Sequence, residues 1–281
     1  MKTVKITKKN QNKSTKKINI FYPTFSKLLT PTEATLSIVA QIEERFTLDI
    51  GSYPRKELLI SDLERKVFGE KEVSDNLLIK QKDLIIRYIE DGIRKVDEFV
   101  STNKDVNAYV FPTTNKPASE FMGEVNAFAL GQYSLYFFID PEIDGWEEVL
   151  RLAIPHEYAH LASFRYFKSN TIVDEIVFEG LAEHTREHLY GGVRAKYSAA
   201  LSRKEALQEL KKLPKEATEL LITEENYDLQ LSYFFGTKDL PNWYGYSLGY
   251  WLIDNVLKTT NLSLKELFKI KPIDILEMVR E

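Results

Sequence analysis

Hydrophobic residues recur every three to four positions over long stretches of this chain and every second position over short ones, and the changes of period mark its elements. Residues 18–22 alternate apolar and polar before Pro23, as a short strand does. Thr30, Pro31 and Glu33 form a capping-box start that leads into Leu36, Ile38, Val39, Ile42 and Phe46, predicting a helix to about residue 46. A second helix is predicted from near Pro54 to Gly69. A third follows Ser74, carrying the stripe Leu77, Leu78, Leu84, Ile85, Ile89, Ile93, Val96 and Val100, broken only by Gly92.

The period then becomes extended: Ala108 to Phe111 reads as a strand, and residues 124–129 and 133–139 as a hairpin around Gly131. After Pro141 helical spacing returns, first from about Trp146 to Phe167, then from about Thr171 to Tyr190, where Gly191 and Gly192 stop it. Pro155 lies inside the first of these and is expected to kink or restart it, because it offers no N–H to Arg151. Further helices are predicted at about 203–212, 242–258, 263–269 and 272–280.

Composition narrows the chemistry. The 281 residues, 43% hydrophobic, can bury a substantial core, and a net charge of −4 gives no reason to expect a nucleic-acid partner. The chain has no cysteine, so any metal must sit on His, Asp or Glu. Residues 1–17 carry seven lysines and read as a basic, disordered tail. No signal-peptide core and no run of 18 apolar residues is visible, so the expected location is the cytoplasm, with no membrane span.

The run His156-Glu157-Tyr158-Ala159-His160 is HExxH. Residues four apart share one face of a helix, so both imidazoles can reach one cation, and Glu157 beside them can take a proton from metal-activated water. A catalytic zinc site needs a third protein ligand. Glu179 is the candidate, separated from His160 by 18 intervening residues, in Glu179-Gly180-Leu181-Ala182-Glu183, on a second helix that returns after a turn near Lys168 to Asn170. A rival inverted motif, His184-Thr185-Arg186-Glu187-His188, lies on that same helix. With Glu179 facing the metal, His184 and His188 point about 140° and 180° away, which suggests a polar outer face for both.

HExxH with this gap and the EGLAE run resembles the gluzincin clan, shared by the thermolysin-like and aminopeptidase families, and in particular the bacterial predicted zinc-protease family containing the YjaZ-type proteins, whose members carry HEYxH followed by EGLAE. The resemblance spans roughly residues 105–275. It implies a mostly helical α+β fold: a zincin-like catalytic unit with a small mixed or antiparallel sheet beside the HExxH helix over residues 105–281, preceded by a mainly helical part over 18–104. It also implies one zinc ion per chain on His156, His160 and Glu179, with Glu183 accepting the second ring N–H of a ligating histidine. Tyr246-Ser247-Leu248-Gly249 is similar to the turn that carries the assisting tyrosine of zinc aminopeptidases, which makes Tyr246, then Tyr250, the candidate oxyanion donor. The hairpin, as in gluzincins, could align an extended peptide by strand addition. Glu124 faintly resembles part of an amine-binding motif and otherwise reads as a strand residue. The resulting reading is a zinc endopeptidase acting on peptides or proteins. An aminopeptidase, or a zinc-containing peptide-binding regulator without useful hydrolysis, is the alternative.

Overall fold

The computed structural model describes residues 2–7, 15–22, 30–44, 56–68, 75–113, 125–191 and 194–280. The chain divides into two units, Met1–Leu161 and Ala162–Glu281. Pro54, Gly69 and Glu124 lie outside the described residues.

The first unit holds a five-stranded mixed sheet of β1 (Lys2–Thr7), β2 (Thr15–Phe21), β3 (Val106–Pro112), β4 (Val125–Leu130) and β5 (Ser134–Ile139), in the order β1-β2-β3-β5-β4. The β1–β2 and β4–β5 pairs are antiparallel, while β2–β3 and β3–β5 are parallel. Parallel neighbours need a long crossover. Helices α1 (Pro31–Glu43), α2 (Lys56–Val67) and α3 (Asp75–Phe99) lie in the connection from β2 to β3.

One expectation is corrected here. Residues 1–17 were expected to be a disordered tail, but Lys2–Thr7 and Thr15–Phe21 pair as strands, with Val4 opposite Ile18 and Ile6 opposite Lys16. Average composition misses the short alternation Thr3-Val4-Lys5-Ile6, which backbone pairing rewards. Across position 104/105, β2 pairs with β3 from Ile18↔Val106 to Phe21↔Tyr109 and so joins the early segment to the later strands in one sheet.

On one face of this sheet Phe21, Tyr109, Phe111, Tyr136 and Phe138 pack with Ile38, Val39 and Ile42 of α1 and Leu59, Leu63 and Val67 of α2. The rings stack, with Tyr109 and Tyr136 centroids 4.8 Å apart. Ala108, Val110, Leu135 and Phe137, which alternate with them, are equally buried, so β3 and β5 are covered on both faces. That is why these strands read as nearly continuous apolar runs. The expected hairpin forms, turning at Gly131 in the left-handed region (φ 58°).

Helix α4 (Trp146–Ser163) carries the HExxH run and is one helix on both sides of Pro155, so it does not restart there. Its buried stripe is Leu150, Ile154, Tyr158 and Leu161. Gly92 of α3 explains the gap in that helix's apolar stripe: a Cβ there would stand 2.7 Å from Ile154.

The second unit is helical: α5 (Ile172–Tyr190), α6 (Arg203–Lys212), α7 (Lys215–Glu219), α8 (Tyr227–Phe235), α9 (Tyr244–Thr259), α10 (Leu264–Leu267) and α11 (Pro272–Arg280), with 3-10 turns at Lys196–Ala199 and Glu224–Asn226. Helix α5 begins in a reciprocal capping box between Thr171 and Asp174 and ends at Gly191, φ 67°. Helices α5 and α9 meet backbone to backbone: a Cβ on Gly180 would lie 2.2 Å from the Gly249 carbonyl oxygen, and one on Gly249 2.1 Å from that of Ile176.

Candidate metal centre

Helix α4 sets His156 and His160 one turn apart, with ring centroids 4.9 Å apart and planes at 82°. His156 is 7% and Glu157 9% exposed, while His160 and Glu179 are half-buried. Among the described residues, His156, His160 and Glu179 are the group able to hold a metal ion, their candidate ligand atoms all lying within 4.8 Å of one another. Two imidazole nitrogens and a carboxylate oxygen at that separation suit a cation of zinc's size and borderline softness, with three protein donors leaving a fourth position open. The donor set fits the metal.

The rival motif gathers no such group. His184 was expected on a polar outer face, and that is corrected: it is 9% exposed, its ring stacks on Tyr250 with centroids 4.7 Å apart, and its Nε2 lies 3.0 Å from the Tyr250 carbonyl oxygen. Burial, partly opposed by the bond to the Tyr250 carbonyl, holds the imidazole pKa below its ordinary value. His188 is exposed, as expected.

Glu183 is 1% exposed, and so is not a solvated helical residue. Arg186 donates to it through Nε (3.0 Å) and Nη2 (2.6 Å), and the Ala195 amide (3.1 Å), the Tyr197 hydroxyl (3.0 Å) and the Ser198 hydroxyl (3.3 Å) donate as well. The carboxylate therefore fastens the segment after α5 to the helix that carries Glu179. Tyr250 is half-buried, with its hydroxyl donating to Glu187 at 3.3 Å and the Arg194 guanidinium 5.1 Å from its ring centroid. Burial, reinforced by Glu187, pushes its phenol up to about 12. Tyr246, also half-buried, sets its ring against Tyr197 and Phe234, each with centroids 5.3 Å away.

Three groups near these elements escape sequence reasoning. The first is a buried polar cluster behind the motif: Lys16 of β2, Asp97 of α3 and Tyr158 of α4. Second, Lys66 at the end of α2 reaches the Asn126 side-chain oxygen at 3.3 Å and lies over the Phe128 ring at 5.3 Å. Burial lowers its pKa, although the charges of Asp62 and Glu157 oppose the shift. Third, Glu175 sits one turn before Glu179 and accepts from Ser169 at 2.5 Å. Burial raises its pKa, a shift that bonds from Ser169 and Gln230 reduce and the Glu179 charge reinforces. None of these carries a sequence signal, since an isolated charged residue in a helix or strand normally points to water.

In this mostly helical α+β chain with a small mixed sheet, two imidazoles and a carboxylate come together as a candidate zinc site. Residues 85–277 match the model of the family described as predicted Zn-dependent protease (DUF2268), and the chain belongs to that family. No curated protein and no solved structure matches the chain. Among the described residues no helix is long and apolar enough to cross a membrane.

Proposed function

We propose that this protein is a zinc-dependent endopeptidase of the gluzincin type, with one zinc ion held by His156, His160 and Glu179. The observation that carries the reading is the approach of these three donors to within 4.8 Å, with the acid of the HExxH run next to the first of them. Zinc bound there supplies Lewis acidity, polarising a carbonyl and acidifying water.

The chain's own residues supply the rest. Glu157, nine-tenths buried, accepts the proton of the attacking water on its carboxylate and returns it to the departing amine, so one group serves as base and then as acid. Tyr246, in the Tyr246-Ser247-Leu248-Gly249 turn of α9 that resembles the assisting-tyrosine turn of zinc aminopeptidases, is the oxyanion donor, with Tyr250, whose hydroxyl donates to Glu187, the second candidate. Glu183 steadies the helix bearing Glu179 through Arg186 and the segment 195–198.

Purified protein should contain about one zinc per chain. The Glu157→Gln variant should retain that metal and lose roughly 100- to 10,000-fold of its cleavage of an internally quenched peptide library. Undiminished cleavage by the variant removes Glu157 as the base. Equal cutting of peptides with free and blocked N-termini marks an endopeptidase; strict dependence on a free amine marks an aminopeptidase.

A further inference from the structure

The HExxH helix is anchored on the side away from its imidazoles. At about 100° per residue, Tyr158 projects opposite the direction midway between His156 and His160. It belongs to the buried stripe with Leu150, Ile154 and Leu161, all at most 1% exposed, and its hydroxyl is the polar atom of that stripe. The Tyr158 hydroxyl donates to Asp97, and Lys16 Nζ donates to Tyr158 at 2.9 Å, to Asp97, to Thr102 Oγ1 at 2.9 Å and to Ser101 Oγ at 3.3 Å. Ser101 Oγ donates to Asp97 at 2.8 Å. Lys16 and Asp97 are 6% and 2% exposed at their side chains.

An ion pair so deeply buried adds little net stability over well-packed apolar groups, since desolvation consumes its attraction. What it adds is direction. Apolar packing along α4 tolerates small rotations of the helix about its axis, whereas a hydroxyl held by an ammonium from β2 and a carboxylate from α3 does not. Side-chain tips about 5–6 Å from the axis move about 2 Å for a 20° rotation, and misplacement of about 1 Å costs a catalytic site up to 100-fold.

We infer that Lys16, Asp97 and Tyr158 are positioning residues that fix the rotation of the HExxH helix and thereby the aim of His156, Glu157 and His160. This rests on the proposed function, and the test separates the two. The variant K16M/D97L/Y158F replaces the cluster with apolar groups of similar length, and the single variant Tyr158→Phe is read in parallel should the triple one fail to fold. Zinc affinity is measured by competition with a chromogenic chelator, thermal stability by calorimetry, and kcat and KM on the quenched peptide. The expected result is a melting temperature within a few degrees of wild type, zinc affinity about 10-fold weaker, and kcat lowered about 10- to 100-fold at unchanged KM. Zinc affinity and kcat at wild-type values overturn the inference, as does a loss confined to melting temperature. A wild-type protein that binds no zinc overturns the proposed function itself, and the inference with it.

Discussion

Glu175 shows how far a residue's surroundings can depart from what its type suggests. It faces the same side of α5 as Glu179, and burial raises its pKa despite the hydroxyl of Ser169. A carboxyl whose folded pKa exceeds its unfolded value favours the neutral form in the fold. Its contribution to stability is complete below the unfolded value of about 4.3 and is lost as pH rises through the folded one. Glu175→Gln should therefore melt higher than wild type at pH 7 to 8 in the presence of chelator, with the difference shrinking toward zero near pH 4, and a pH series of thermal melts reads this directly. At this scale the metal-site candidates were legible because helical spacing at 156 and 160 and the gap to 179 are written in one dimension. Lys16 and Asp97 were not, because they meet Tyr158 from other elements, Lys16 at a separation of 142 residues, and Lys66 and Glu175 were not, because their burial is set by packing that spacing does not reveal. His184 was misjudged for the same reason: its environment is made by α9.

Elements were more legible where capping and period agreed. Thr30 with Glu33, Thr171 with Asp174 and Ser202 with Glu205 form reciprocal capping boxes at the starts of α1, α5 and α6. Helix α8 escaped because Tyr227, Leu229, Leu231 and Tyr233 alternate as a strand would, yet this segment folds as a helix. Pro155 does not end α4, since the buried stripe either side of it holds the helix together. The YSLGY segment, read for its tyrosines, owes its glycine to packing: Gly249 lies where a side chain would strike the Ile176 carbonyl and the Gly180 amide. Gly249→Ala should push α9 from α5 and cost about 1–3 kcal/mol, read by urea unfolding. Unchanged stability would mean that the two backbones are further apart than described.

For the whole molecule, metal and fold are linked. An ion bound by the native but not the unfolded chain stabilises the native chain by about 2.7 kcal/mol at a free concentration 100 times its dissociation constant. Stripping the protein with chelator should lower its melting temperature by several degrees, and returning zinc should restore it, while magnesium, which prefers an octahedral shell of oxygens, should not. Calorimetry with each ion decides.

The buried ammonium of Lys16 bears on how short this chain can be made. The stretch that matches the family, residues 85–277, contains both imidazoles, the acid between them and Glu179, and looks sufficient on paper. Trimmed to it, the polypeptide would keep Asp97, Ser101 and Tyr158 but forfeit the cation that neutralises the first and donates to the last, leaving the Asp97 carboxylate held by hydroxyls alone. The shortest chain that keeps this arrangement therefore begins before its recognisable part does, at the strand that delivers residue 16.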